Sequence, residues 1–426
     1  MWLFAGSDLG KRTILRYFVW MRGIDDALTV GERIAFYRVR RGLTQQQLGV
    51  LVGRSTEWVS SIERGRREVR RMDVLSRTAS ALRVTLPDVV GAPVLAETEP
   101  EQDNVPAVRD ALMTPQRLSR VLYADDPATG ASGAAVGAAG RYCEHVWGGY
   151  QAGAIGSVLA ALPTLLGTAR ELERGDSVDG WKVSARVHHL AATTLSKIGE
   201  SDLAWLAAER AVQAAEASGD PLSLASAARA ATHALLANGR YDDALGLGDR
   251  AADWLAGSCP TDDPEAASLA GMLHLRAAVA AARHNDRPAT ADLLDRAEAA
   301  ARIVGRDANL WRTAFGPTNV AVHRIAVATD LGDLLFVCEQ GPRIDACALP
   351  VERRAALLID VGRAQSMLGR DEQAMSSLLE AESIAPQLVR HATTVRESVR
   401  GMYRRSGHTG ASTALMRFAE RCRAAS

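Results

Sequence analysis

The chain has no run of 18 apolar residues, so no segment has the length of a transmembrane helix. Aromatic residues make up only 5% of it, while Ala, Leu, Arg and Glu recur throughout. That balance favours packed helices and leaves almost no place for strands. The five cysteines, Cys143, Cys259, Cys338, Cys347 and Cys422, are scattered, odd in number and free of any C-x-x-C pair. They offer neither a zinc site nor a disulfide framework and suit buried, reduced thiols in a cytosolic protein. No nucleophile elbow, Walker loop or G-x-G-x-x-G after a strand is present. His188 and His189 are adjacent and face different sides of a helix, with no H-x-x-x-H or carboxylate cluster beside them. An enzyme, a bound metal and a cofactor are therefore not expected. The opening MWLFAGSDLGKRTILRYFVW is interrupted by Lys11, Arg12 and Arg16, and no small-residue cleavage site follows. Residues 1–28 read as a disordered extension, with Met21 as an alternative start.

At 426 residues the chain exceeds what one core usually supports, and about two or three domains are expected. Net charge is zero, but residues 29–83 hold 12 Arg against 5 acids, a balance of +7, and residues 84–426 come to −8. A basic head on an acidic body is the electrostatic footprint of a module that meets phosphate, joined to one that does not.

Within the basic head, turn chemistry and apolar spacing converge on Thr44–Gly65, TQQQLGVLVGRSTEWVSSIERG. Thr44 and Gln47 form a capping box that starts a helix. Leu48, Leu51 and Val52 lie along its inner face, and Gly53 stops it. Ser55 caps a second helix, whose Val59 and Ile62 point back at the first while Thr56, Glu57, Ser60 and Ser61 lie on other faces. Upstream, TVGERIAFYRVRRG places Ile34, Tyr37 and Val39 on one side of a helix ending at Gly42. Downstream, a basic loop leads to a helical stripe of Val74, Leu75, Ala79 and Leu82, and a short helix from Leu86 to Val90 closes a five-helix domain at Gly91. The arrangement reads as a DNA-binding helix-turn-helix domain over 29–91.

Thr44, Gln45, Leu48, Val52, Gly53, Ser55, Val59, Ser60, Ile62, Glu63 and Gly65 resemble the signature of the XRE family, of phage Cro/C1-repressor type. The resemblance implies that Gln45 contacts phosphate, that Ser55 lies at the interface, and that Thr56, Glu57 and Ser61 face base edges of double-stranded DNA. Arg54, Arg64, Arg66 and Arg67 flank the reading helix and suit phosphates, whereas Glu63 is structural in such domains. Glu57 stands where a glutamine is common; an acceptor-only carboxylate favours cytosine N4 over adenine. Trp58 is also unusual and is read as packing at the helix edge.

Residues 92–140 carry prolines, an acidic run and a Gly/Ala-rich joint, and read as a linker with short helices. From 141 to 426 the chain is a series of Ala-rich helical pairs. Candidate turns at Gly199, Gly239, Asn285, Gly332, Gly369 and Gly407 are separated by 40, 46, 47, 37 and 38 residues. This resembles, more loosely, the tetratricopeptide repeat, in which small residues let paired helices touch. The predicted fold class is all-α: a five-helix Cro/C1-type domain followed by a tetratricopeptide-like α-solenoid of about six pairs. Repeat spacing puts Arg186, His189, Arg229, His233, Asn319, His323 and Arg363 on the concave surface, where Asn and Arg suit a peptide backbone and carboxylate.

The whole arrangement is similar to peptide-pheromone receptors of the RRNPP group and to actinobacterial regulators joining an XRE domain to such repeats. It implies a cytoplasmic, dimeric repressor or activator whose repeats bind a peptide or protein and thereby shift operator binding. The alternatives are a protein-interaction scaffold tethered to DNA and a regulator with no ligand.

Overall fold

The computed structural model describes residues 28–69, 71–84, 86–90, 104–117, 122, 132–407 and 412–424, and among these every regular element is a helix. The chain divides into two compact units, the first ending at Val94 and the second running from Leu95 to Ala425, with Arg70–Asp73 grouped with the second. No helix among the described residues is long and apolar enough to cross a membrane.

Five helices make the first unit: α1 (Val30–Arg40), α2 (Gln45–Val52), α3 (Thr56–Glu63), α4 (Met72–Leu82) and α5 (Leu86–Val90). Both α1 and α2 begin with complete capping boxes, Thr29 with Glu32 and Thr44 with Gln47. These satisfy N–H groups that the first turn leaves free. Ile34, Leu48, Val52, Val59 and Ile62 are almost fully buried and form the core with Val74, Leu75, Ala79, Leu82 and Val89. Two apolar positions depart from the predicted stripes. Leu51 is 54% exposed because the buried arc of α2 runs through Leu48, Gly49 and Val52, and Val39, at the end of α1, is 56% exposed. Gly91, the predicted closing residue, lies outside the described residues, as does residues 1–27 of the N-terminal extension.

The second unit opens with α6 (Val105–Leu112) and continues as helical hairpins. The pairs are α7 (Gly133–Gln151) with α8 (Ile155–Arg174), α9 (Val178–Lys197) with α10 (Ser201–Ser218), and α11 (Pro221–Ala237) with α12 (Tyr241–Ser258). There follow α13 (Pro264–His284) with α14 (Arg287–Val304), α15 (Pro317–Leu331) with α16 (Leu334–Gln340), and α17 (Val351–Met367) with α18 (Asp371–Ile384). After the short α19 (Pro386–His391), α20 (Thr393–Ser406) and α21 (Thr413–Arg421) complete the series. All six turn residues expected from the spacing take positive φ, from 66° at Asn285 and Gly407 to 84° at Gly332, the left-handed half of backbone space that Gly and Asn tolerate. A further turn, at Gly153 with φ 80°, makes an additional pair ahead of them.

Alanine sets the helix spacing. Ala204, Ala207, Ala208 and Ala211 on α10, and Ala277, Ala278 and Ala281 on α13, are fully buried, so neighbouring backbones approach closely. The boundary expected at 141 falls inside α7, and α6 is part of the body: its Val105, Val108 and Leu112 join one core with Leu159, Leu162 and Leu166. Residues 115–117 are anchored as well, because Arg117 pairs with Glu173 at 2.9 Å. Burial pushes the Glu173 carboxyl up, but bonds from His188, Arg117 and Ser184 bring it down to about 2. All five cysteines are free thiols; Cys143 and Cys422 are buried, but Cys347 is exposed, contrary to the expectation of five buried thiols.

The solenoid closes on itself. At the α7–α8 turn, a Cβ on Gly153 would lie 3.2 Å from Ala385 Cβ, and the Gly156 N–H donates to Gln387 Oε1 at 2.9 Å. Across the interior, Lys197 of α9 meets Glu352 of α17 at 2.5 Å. The side lined by α7, α9, α11, α13, α15 and α17 is therefore an interior rather than an open groove.

Candidate nucleic-acid interface

The geometry of the interface rests on Glu63, the last residue of α3. Its carboxylate accepts from Arg38 of α1 at 2.5 and 2.8 Å and from the Gln45 amide of α2 at 2.7 Å. Arg38 also donates to the Leu43 carbonyl at 2.7 Å. One carboxylate thus ties α1, α2 and α3 together, and the bidentate fork fixes direction as well as distance. Gln45 is consequently held at the N-terminus of α2 through one amide hydrogen, half-buried at the position predicted to face phosphate.

Between α2 and α3 the chain turns at Gly53 (φ 68°), and the Ser55 hydroxyl caps α3 by accepting from the Trp58 N–H at 3.2 Å. Val59 and Ile62 are buried; Glu57 is exposed, and Thr56, Ser60 and Ser61 are half-buried. The Glu57 carboxyl lies lower than usual because its own backbone N–H and the Ser55 hydroxyl bond to it, so α3 starts with a fixed negative charge. Arg54, Arg64, Arg66 and Arg67 are all exposed around the helix. Arg54 stands over the Trp58 ring at 5.9 Å, which places that indole at the edge of α3 beside a cation. The Ser61 carbonyl accepts from the N–H groups of Arg66 and Arg67, fixing where the basic loop leaves the helix.

Close approach of α1 to α3 requires a glycine. A Cβ on Gly31 would lie 2.1 Å from the Ile62 carbonyl oxygen, and that contact is backbone, which cannot swing aside. Gly31→Ala is expected to cost ~1–3 kcal/mol through overpacking. Hydrogen exchange on the full chain should show lost protection in α1 and α3 with the repeat helices unchanged; unaltered protection in α1 and α3 would contradict the packing.

Five short helices, with the second of the paired helices presenting polar residues and arginines, define a helix-turn-helix DNA-binding module, here preceding a solenoid of helical hairpins. Comparison with known families agrees: residues 29–90 match the family described as a helix-turn-helix domain. The match does not reach the helical hairpins, and no curated protein and no solved structure matches the chain.

The seven residues expected on an open concave surface are on the inward-facing helices but not on a free surface. His189, Arg229, Asn319 and His323 are buried, among neighbouring helices and the segment 309–314. His189 Nδ1 lies 3.0 Å from Ser226 Oγ, and its Nε2 lies 3.3 Å from Arg229 Nη2. His323 Nδ1 is 2.9 Å from the Asn319 carbonyl, while the Asn319 amide donates to Thr313 O at 3.4 Å. Arg186 is half-buried, pairs with Glu144 and stands over the Trp311 ring. Arg363 pairs with Asp360 at 3.0 Å and belongs to a separate ion cluster with Asp330. His233, Arg229 and His189 do meet, at a cavity that also receives Arg276, Arg312 and Arg353. Arg276 had a readable signal: it continues the spacing of the buried Leu269 and Leu273 and the nearly buried Ala280, so a lone cation sits on an apolar face.

Proposed function

We propose that the protein is a sequence-specific transcriptional regulator of the XRE type in which α3 reads the major groove. Thr56, Glu57 and Ser61 face the base edges, and Gln45, Ser55 and the arginines at 54, 64, 66 and 67 position the helix on phosphates. The observation that carries this reading is the orientation of α3: Val59 and Ile62 are sealed into the core while the polar residues and four arginines are turned outward. The tetratricopeptide-like body acts as the sensing and dimer-forming part of a cytoplasmic regulator, and a bound ligand changes how the two reading heads are presented. Because its concave side is closed, the ligand is a small one, or a peptide that enters as the body opens.

Selection of bound duplexes from a random pool gives the operator and its half-site spacing. With that operator, Ser61→Ala should relax preference at one base pair, whereas Arg66→Ala should weaken binding to all sequences and reduce the salt slope by about one. Binding that is insensitive to both substitutions would remove the assignment of α3 as the reader.

A further inference from the structure

The interior of the closed solenoid holds more positive charge than it neutralises. Arg229 of α11, Arg276 of α13 and Arg353 of α17 converge on one partly open cavity of about 20 Å3, together with Arg312. Glu352 supplies the sole carboxylate among the lining residues, and it is already engaged by Lys197 at 2.5 Å and by Arg353 at 2.7 Å. Arg312 has its own partner outside the cavity, Glu144 at 2.9 Å. Arg229 and Arg276 have no carboxylate partner among the described residues.

Unmet hydrogen-bonding capacity points to the same place. Nε of Arg229, Nε of Arg276 and the Tyr150 hydroxyl are buried without a hydrogen-bond partner among the described residues, and all three residues line the cavity. Arg229 is only 7% exposed, and its remaining contacts are long, 3.3 Å to His189 Nε2 and 3.4 Å to the Trp311 carbonyl. Burial, then repulsion from Arg276 and Arg353, lowers Arg229 to about 9; burial and Arg353 likewise lower Arg276 to about 10. A guanidinium buried without counter-charge, as Arg229 is, is strongly unfavourable, and the half-buried Arg276 adds to the repulsion; water can fill their hydrogen bonds but cannot neutralise them.

A third feature lies over the cavity. In the segment 309–314, which contributes Arg312, Thr313 and Ala314 to the lining, Trp311, Arg312 and Ala314 have φ of 50°, 55° and 50°. Three side-chain-bearing residues held in left-handed geometry within four positions represent stored strain of a kind that gathers at ligand clamps. The segment is pinned by Trp311 Nε1 donating to Glu265 at 2.7 Å, by Asn309 to Gln151 at 2.9 Å, and by Thr313 against Ser268 at 2.7 Å.

From these three observations we infer that the cavity is an anion site: Arg229, Arg276 and Arg353 receive one carboxylate or phosphate group of a small ligand beneath the 309–314 strap. Guanidinium forks bind both oxyanions in bidentate fashion. A volume of about 20 Å3 has room for roughly one or two water-sized atoms, enough for the leading oxygens of one anionic group that displaces water and too little for a polynucleotide backbone. The inference deepens, and rests on, the reading of the repeat body as the sensing part, to which it adds the chemical class of the ligand.

The test uses the full chain at constant ionic strength, with sodium chloride replaced stepwise by sodium phosphate in one series and sodium acetate in another. At saturation one of the two should raise Tm by ~3 °C or more. Arg276→Met should abolish most of that rise while leaving the anion-free Tm equal to or above that of the parent chain, since it removes a half-buried cation that has no carboxylate partner among the described residues. A phosphate-specific rise assigns a phosphoryl ligand, and an acetate-specific rise a carboxylate. Calorimetric titration of the unaltered chain provides a second readout that does not depend on the variant folding, with one anion bound per chain expected. Equal Tm responses in both proteins, or no binding heat for either anion, would overturn the site. If the anion binds but leaves affinity for a selected duplex unchanged, the site stands and the sensing reading falls.

Discussion

Glu352→Gln should lower the thermal midpoint of the repeat body by roughly 4–7 °C, the shift that corresponds to breaking a buried ion pair on one side in a body of this size. Glu352 is 2% exposed and joins α9 to α17 through Lys197 while neutralising Arg353 on its own helix. Its loss leaves Lys197, Arg353, Arg229 and Arg276 around one interior with no lining carboxylate. Glutamine preserves size and one acceptor, so the change isolates charge. Burial raises the Glu352 carboxyl, but Arg353 and Lys197 more than reverse this and hold it at about 2, below its ordinary value of 4.5. A carboxyl depressed on folding contributes stability above pH 4.5, and that contribution disappears as pH falls through about 2. The parent chain should therefore lose stability over that acid range, and Glu352→Gln should show a smaller loss there. Thermal unfolding followed by circular dichroism from pH 7 to pH 2 measures both effects; equal midpoints at pH 7 would mean that the pair across the interior contributes nothing.

Glu63→Ala is expected to have the larger functional consequence. It leaves Arg38, whose side chain is 12% exposed, without its carboxylate and releases Gln45 from the start of α2. Truncating one partner of such a pair costs ~3 kcal/mol. If α3 reads DNA as proposed, loss of its orientation relative to α2 should reduce affinity for a selected duplex by ~10-fold or more, since 1.4 kcal/mol corresponds to a factor of ten. Fluorescence anisotropy at fixed salt reads the affinity, and Glu63→Gln, which retains an acceptor for Gln45, should lose less. Equal affinity in the alanine variant would show that the junction of α1, α2 and α3 holds without this carboxylate.

Local rules made much of this protein legible. The capping box at Thr44, the stop at Gly53 and the cap at Ser55 act within four residues of themselves, so they define α2 and α3 wherever the rest of the chain goes. The repeat turns are similarly local: positive φ comes at least strain with Gly or Asn, and one or the other stands at each of the six spaced positions. Helical stripes located Val59, Ile62, Val74 and Leu82 correctly, but misplaced Leu51 and Val39, because a short helix has too few turns to define the centre of its buried arc. Gly31 and Glu63 derive their roles from a helix approach and a three-helix junction, and each needs the partner's position to be interpreted.

Closure of the solenoid was decided only in three dimensions. Spacing assigned His189, Arg229, Asn319 and His323 to the inner helices, and that is where they lie, but spacing carries no information on curvature. Curvature is the sum of small rotations between successive hairpins, set by how closely Ala- and Gly-bearing faces pack, and the contacts of Gly153 and Gly156 with Ala385 and Gln387 complete it. The same closure turned scattered arginines, more than 40 residues apart at positions 229, 276 and 353, into one interior cluster. The sequence by itself determined the helices, their caps and their turns, since those depend on near neighbours. Tertiary structure alone decided which charged residues leave water together, because burial and electrostatic coupling depend on distance in space rather than along the chain.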